Sequence, residues 1–270
     1  MALDLEKMGI AARNAAFKLA QMSTEQKNMI LKAMAQALVD NAATIITANQ
    51  VDLAKATEMK ASFVDRLTLD EARIKDIAEG LKQVAALPDP IGNIDKGWIN
   101  QNGLQIVQRR VPLGVVGMIY EARPNVTVDA AGLCFKAGNA VILRGGKEAL
   151  ATNIKLTEVL QQVLIENDIA KEAIQIITET SHKTAEKFMQ LNGYLDVLIP
   201  RGSARLIQTV VQKATVPVIE TGAGNCHVYV DSQADLAMAE KIVVNAKCQR
   251  PSVCNAAETL VVHADVAEEF

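Results

Sequence analysis

This 270-residue sequence is poor in the groups that announce several common functions. Aromatic residues make up 3% of it and its formal net charge is −3, so it offers neither stacking platforms nor the basic stripe that a nucleic acid requires. Its four cysteines, Cys134, Cys226, Cys248 and Cys254, include no CxxC pair, and its three histidines are dispersed at His182, His227 and His263. That spacing disfavours structural zinc and a disulfide framework, and no metal site is expected. Neither GxGxxG nor a Walker segment occurs, so the usual dinucleotide and nucleotide fingerprints are missing. Asp4, Glu6, Lys7, Arg13 and Lys18 break up the first helical pattern, which lacks the continuous apolar run of a signal peptide or membrane span. The expectation is a cytoplasmic protein with no membrane or nucleic-acid partner.

What is present is apolar: half of the residues are hydrophobic, enough for a large core in one or two domains. Up to Pro90 the spacing is helical. Met8, Ala12, Ala15 and Leu19 form one stripe, and Ser23-Thr-Glu-Gln26 resembles a capping box opening a second helix through Met29, Ile30, Ala33, Met34, Ala37 and Leu38. A third pattern runs through Ile45, Ile46 and Leu53, and a fourth through Ile74, Ile77, Leu81 and Val84 to the stop at Pro88-Asp-Pro90. From Trp98 to Val111 alternation around Asn102-Gly103 predicts a projecting hairpin, either a subunit contact or a solvated edge.

After Pro112 short apolar runs alternate with helical patterns. Strands are expected at 114–119, 140–143, 174–177, 196–199 and 216–219, an α/β doubly wound parallel sheet. Ligands of such sheets sit beyond the carboxyl ends of the strands. The loops there are rich in chemistry. Tyr120-Glu-Ala-Arg-Pro-Asn-Val-Thr127 suits a helix start that favours an anion, or simply a capped helix with a solvated Arg. Arg144-Gly-Gly-Lys147 combines close backbone approach with charge for a phosphate. Pro200-Arg-Gly-Ser-Ala-Arg205 and Glu220-Thr-Gly-Ala-Gly-Asn-Cys-His227 complete the set.

Cys254 lies at a polar turn between a helical pattern and an apolar strand, with Lys247, Gln249 and Arg250 just upstream. That setting suits a nucleophilic thiol, although a Cys among small and apolar residues equally suits a packing position.

The segments IYEARPNVT, ILRGGKE, LIPRG, PVIETGAGNCHVYVD and NAKCQRPSVCNAAETLVV, in this order, closely resemble the gamma-glutamyl phosphate reductases of the aldehyde dehydrogenase superfamily. The resemblance implies an aldehyde dehydrogenase-like fold, with N-terminal helices and an NADPH-binding domain over 1–222, and the beginning of an α/β catalytic domain over 223–270. It implies NADPH-dependent reduction of L-glutamyl 5-phosphate to L-glutamate 5-semialdehyde and phosphate, the second step of proline biosynthesis. Cys254 would attack the acyl carbon and release phosphate, leaving a thioester that NADPH reduces. Asn125 would supply the oxyanion amide, and Glu220, 34 positions before Cys254, would have a structural or proton-carrying role. Arg144, Gly145, Gly146 and Lys147 would bind the adenosine ribose of the cofactor, and Pro200, Arg201 and Gly202 would lie near its nicotinamide end, where Ser203-Ala-Arg205 departs from the family's glycine-rich pattern. Arg123 or Arg250 would anchor the substrate phosphate. A homo-oligomer and a functional contact with glutamate 5-kinase are further implications. The alternatives are another aldehyde or acyl-CoA dehydrogenase of the superfamily, or a non-catalytic cofactor-binding fragment. Family members are longer, and this chain stops at Phe270 in an apparent helix beginning near Ala264, which reads as C-terminal truncation with weak activity and exposed apolar surface.

Overall fold

Ser23 and Gln26 exchange side-chain and backbone hydrogen bonds at 3.2 and 2.9 Å, so the capping box satisfies two donors that open α2 (Thr24–Asp40). The computed structural model describes residues 4–220, 222, 224–251 and 253–270. They fall into two compact units, Met1–Thr221 and Gly222–Phe270.

In the first unit α1 (Leu5–Leu19), α2, α3 (Ala42–Leu53) and α5 (Glu71–Ala86) follow the apolar spacing of the sequence. A short α4 (Ala61–Leu67) was not anticipated, having too few turns to establish a period. Asn49 holds the segment after it in place, donating to the Leu67 carbonyl at 2.9 Å and accepting from the Leu69 N–H at 2.8 Å. The hairpin consists of β1 (Ile94–Ile99) and β2 (Gln105–Arg109), antiparallel, and begins earlier than expected because Ile94 already pairs with Arg109. Gly103, at φ +80°, supplies the left-handed residue its turn requires.

The central sheet has the parallel order β5-β4-β3-β6, from β3 (Val115–Tyr120), β4 (Ala140–Arg144), β5 (Ile174–Ile176) and β6 (Val197–Arg201). The crossovers are α6 (Asn125–Lys136), α7 (Leu150–Glu166) and α8 (His182–Met189), and α9 (Ala204–Lys213) follows β6. Strands β3 to β5 step one way across the sheet and β6 lies on the other side of β3, so the topological switch point falls between β3 and β6. Burial of Val115, Ile119, Ile142, Leu143 and Leu198 on this sheet contributes about 1.5–3 kcal/mol per side chain.

Two expectations are corrected. Residues 216–219 form no full strand: Val218 makes a single bridge to Leu198, flanked by Leu198 N–H to Pro217 O at 2.8 Å and Ile219 N–H to Leu198 O at 3.0 Å. Pro217 has no N–H with which to extend the ladder. The segment from Ala264 is a 3₁₀ turn, Ala264–Val266, not a helix, opened by His263 Nδ1 accepting from Asp265 N–H at 3.2 Å.

The second unit is a βαβ arrangement, with β7 (Cys226–Val230) parallel to β8 (Ala257–Val262) and α10 (Leu236–Cys248) between them. Among the described residues no single helix is long and apolar enough to cross a membrane, and no group of His, Cys, Asp and Glu could hold a metal ion.

Candidate active site

Register brings three of the anticipated loops to one sheet edge. Ile119 near the end of β3 pairs with Arg144 on one side and Pro200 on the other, and Tyr120 pairs with Arg201. Arg144, Pro200 and Arg201 are therefore strand residues rather than loop residues, and Pro200 is tolerated because parallel pairing to β3 does not need its missing donor.

At the switch point Glu121 joins the loops that follow β3 and β6. Its N–H donates to the Arg201 carbonyl at 3.3 Å, and its carboxylate accepts from Ser203 Oγ at 2.5 Å. Ser203 also accepts from the Leu206 N–H at 3.4 Å, capping α9. This explains a serine where the family pattern suggested glycine. Gly202 lies against the same clamp: a Cβ there would lie 2.7 Å from the Glu121 carboxyl carbon, so a side chain would push the Glu121 carboxylate aside.

The helix that begins at Asn125 carries the candidate amide. Asn125 is half-buried, and its Nδ2 donates to Asp129 Oδ2 at 3.0 Å one turn along α6. Asp129 reaches solvent overall, yet desolvation of its carboxyl raises its pKa, and the Asn125 hydrogen bond offsets this only in part. Arg123 is half-buried in the same loop. Behind it Tyr120 donates to Thr127 Oγ1 at 2.7 Å, and Thr127 donates to Asn153 Oδ1 at 2.9 Å. Burial raises the Tyr120 phenol well above its usual range, with the Thr127 hydrogen bond opposing, so it stays protonated.

The Arg144-Gly-Gly-Lys147 segment is more committed to the protein than its composition suggested. Arg144 Nη2 donates to the Thr180 carbonyl at 2.9 Å, and burial lowers the guanidinium's pKa, with the charges of Glu148 and Glu179 opposing. A Cβ on Gly145 would meet Asn153 Nδ2 at 2.3 Å, so this glycine admits protein rather than ligand on that side. The first turn of α7 is also occupied. Asp52 accepts from the N–H groups of Ala151 and Thr152 at 3.1 and 2.8 Å and from Thr152 Oγ1 at 2.7 Å. A helix N-terminus that would otherwise attract a phosphate is thus already neutralised by a buried carboxylate. Lys147 remains exposed beside it.

Glu220 is exposed at the end of the first unit. Thr221 and Ala223 in its loop, Ser252 beside the candidate thiol, and residues 1–3 at the N-terminus lie outside the described residues. In the second unit Cys254 is exposed on successive turns, with Val253 N–H donating to Arg250 O and Ala256 N–H to Val253 O, both at 3.3 Å. The exposed Arg250 opens these turns, and Lys247 Nζ donates to the Ala257 carbonyl at 2.9 Å across them. Cys254 thus occupies the accessible turn between α10 and β8, a position compatible with nucleophilic chemistry.

Sequence spacing missed Asp52, Glu121 as a clamp, and Asp129. Only Asp129 had a local signal, since it follows Asn125 at helical i,i+4 spacing.

A doubly wound sheet with polar strand ends and a separate βαβ unit bearing an exposed thiol define an α/β enzyme-like architecture. The aldehyde dehydrogenase family model matches residues 2–270, and the chain belongs to that family. It is 64% identical to a gamma-glutamyl phosphate reductase of Ligilactobacillus salivarius over 270 residues, covering 100% of this chain and 65% of the relative. Identity to the protein of the same name from Lactiplantibacillus plantarum is 61%, covering 99% of this chain and 65% of the relative. The crystal structure of a Thermotoga maritima gamma-glutamyl phosphate reductase superposes with a TM-score of 0.89 at 41% identity, over 99% of this chain and 65% of that one. The chain therefore spans about two thirds of the length of these relatives.

Proposed function

We propose that the chain carries the cofactor side and the nucleophile of a gamma-glutamyl phosphate reductase, reducing L-glutamyl 5-phosphate to L-glutamate 5-semialdehyde and phosphate in cytoplasmic proline biosynthesis. The observation that carries the reading is the 64% identity along the whole chain to a relative bearing that name, with Cys254 on an exposed turn.

Cys254 Sγ attacks the acyl carbon, the carbon–oxygen bond to phosphate breaks, and a thioester forms on the chain. Asn125 steadies the developing oxyanion with the amide N–H that Asp129 does not engage. Arg123 or Arg250 holds the leaving phosphate, a task suited to the forked guanidinium. Glu220 shapes the site or carries a proton, while water must be excluded until the thioester is reduced.

The cofactor is NADPH, which when bound supplies the hydride for reduction. The residues fit it in part: the exposed Lys147 can meet a ribose 2′-phosphate, while the capped α7 leaves no free helix terminus there for a pyrophosphate. Arg144, Gly145 and Gly146 precede Lys147 at the end of β4, and Pro200 and Arg201 end β6 with Gly202 following beside Glu121, so both segments lie at the same end of the sheet for the cofactor to meet. The working protein is a homo-oligomer in functional contact with glutamate 5-kinase. The test is phosphate release with NADPH oxidation on glutamyl phosphate, in a chain of the relatives' full length, against CoA thioesters and free aldehydes. Preference for the acyl phosphate supports the reading, and preference for either other class overturns it.

A further inference from the structure

Two of the four cysteines meet within the second unit. Cys226 opens β7, and Cys254 lies 28 positions later on the turn that leads into β8. Cys226 pairs with Ala257, and on its other side Thr259 Oγ1 donates to Asn225 Oδ1 at 3.0 Å, so the two segments are fastened around it. The Cys226 thiol reaches the carbonyl oxygen of Cys254 at 3.7 Å, a weak S–H···O contact. Only Cα and Cβ of Cys254 separate that carbonyl from its own sulfur. The Cys226 thiol thus already touches the residue that carries the second sulfur, and a χ1 rotation of Cys254 moves that sulfur relative to it. The β7–β8 register shifts between Cys226 and His227, a local irregularity at the position where a link would form.

The remaining cysteines are differently placed. Cys134 lies inside α6 of the first unit, where burial pushes its thiol up to about 12 and keeps it protonated. Cys248 is exposed at the end of α10, six positions before Cys254, and serves as an internal reference.

We propose that Cys226 is a resolving thiol for Cys254: under hydrogen peroxide the two form a reversible disulfide that removes the nucleophile from action and spares it irreversible oxidation. The proposal rests on the reading of Cys254 as a reactive thiolate. In the first step the Cys254 thiolate attacks one peroxide oxygen; the S–O bond forms as the O–O bond breaks, sulfur is oxidised by two electrons and hydroxide departs. The hydroxide or solvent then takes the proton of Cys226, whose sulfur attacks the Cys254 sulfur. The S–S bond forms, the S–O bond breaks, and the oxygen leaves as water after protonation. A dithiol reductant supplies the two electrons that restore both thiols. Without a partner, an exposed Cys254 would proceed from sulfenic to sulfinic acid, which thiols do not reverse.

The test treats the 270-residue chain with several equivalents of hydrogen peroxide, since each of the two steps to sulfinic acid consumes one, blocks free thiols with iodoacetamide, and maps peptides by mass spectrometry before and after dithiothreitol. Expected are a linked Cys226–Cys254 peptide pair, two hydrogens lighter than the separate peptides and released by dithiothreitol, and sulfinic acid on Cys254 in Cys226→Ser and Cys226→Ala. Sulfinic acid on Cys254 in the unaltered chain while Cys226 stays alkylatable, or a Cys254–Cys248 link, overturns the resolving role. Iodoacetamide rates in Cys226→Ser, checked for native circular dichroism, separate the two readings. If Cys254 reacts no faster than Cys248, the nucleophile reading falls and the proposal falls with it; if it reacts faster but forms no link in the unaltered chain, only the proposal falls.

Discussion

Asp52 in α3 caps α7 through Thr152, accepting from both its N–H and its hydroxyl at 2.8 and 2.7 Å across 100 positions of sequence. The pair fixes the helix that follows the Arg144–Lys147 segment and removes its terminus from phosphate binding. Asp52→Asn keeps the size but turns an amide group toward N–H donors. It is expected to cost about 2 kcal/mol, read as a lower chemical-denaturation midpoint at unchanged slope. An unchanged midpoint would contradict the assigned cap.

Asp89 and Lys27 form a buried ion pair in the first unit, and Asp89 also accepts from Thr24 Oγ1 at 2.9 Å and Ile91 N–H at 3.0 Å. Burial alone would raise the Asp89 carboxyl, but the Lys27, Ile91 and Thr24 hydrogen bonds together with the Lys27 charge outweigh it, and the net shift is downward. Because the native pKa is depressed, the stabilisation is fully present above the unfolded value near 4 and is lost as pH falls through the native value. Asp89→Asn should cost about 3 kcal/mol at neutral pH, leaving Lys27 buried without its counter-ion, and should flatten the acid limb of the stability curve. Parallel acid limbs for variant and parent would contradict this.

Lys147 is the exposed cation beside the capped helix. Lys147→Ala is expected to weaken NADPH binding about tenfold, the equivalent of about 1.4 kcal/mol, while leaving NADH unchanged. Fluorescence titration of the two nucleotides checks it, and equal losses for both would remove Lys147 from 2′-phosphate recognition.

Glu121 and Gly202 meet across the switch point. Gly202→Ala should force Glu121 away from Ser203 and lower affinity for the nucleotide, whereas Ser203→Ala should cost about 1 kcal/mol of stability through the lost cap. Isothermal titration and thermal melts on the two variants separate these effects.

Much of this arrangement was legible in local pattern. The capping box at Ser23 and Gln26, the stripe through Ile74, Ile77 and Leu81, and the strand–helix rhythm after Pro112 all have signals within one element. What escaped depends on contacts remote in sequence: Asp52 reaches Thr152 across 100 positions, and Ser203 reaches Glu121 across 82. Neither spacing nor propensity encodes such a partner. Two arginines illustrate the same limit. Composition offered Arg144 to a phosphate, but the fold turns it toward the Thr180 carbonyl, while Arg201 ends a strand instead of lying in a loop. At 216–219 the apolar run predicts a strand, but Pro217 lacks the N–H that would extend pairing beyond the single Leu198–Val218 bridge.

In the proposed reaction Cys254 carries the acyl group. The most direct measurement is the rate of NADPH-dependent reduction of glutamyl phosphate by Cys254→Ser beside the unaltered protein, both at the relatives' full length. The expected result is a fall of about ten-thousandfold or more, as for loss of a catalytic nucleophile elsewhere. Retention of the unaltered rate would contradict it.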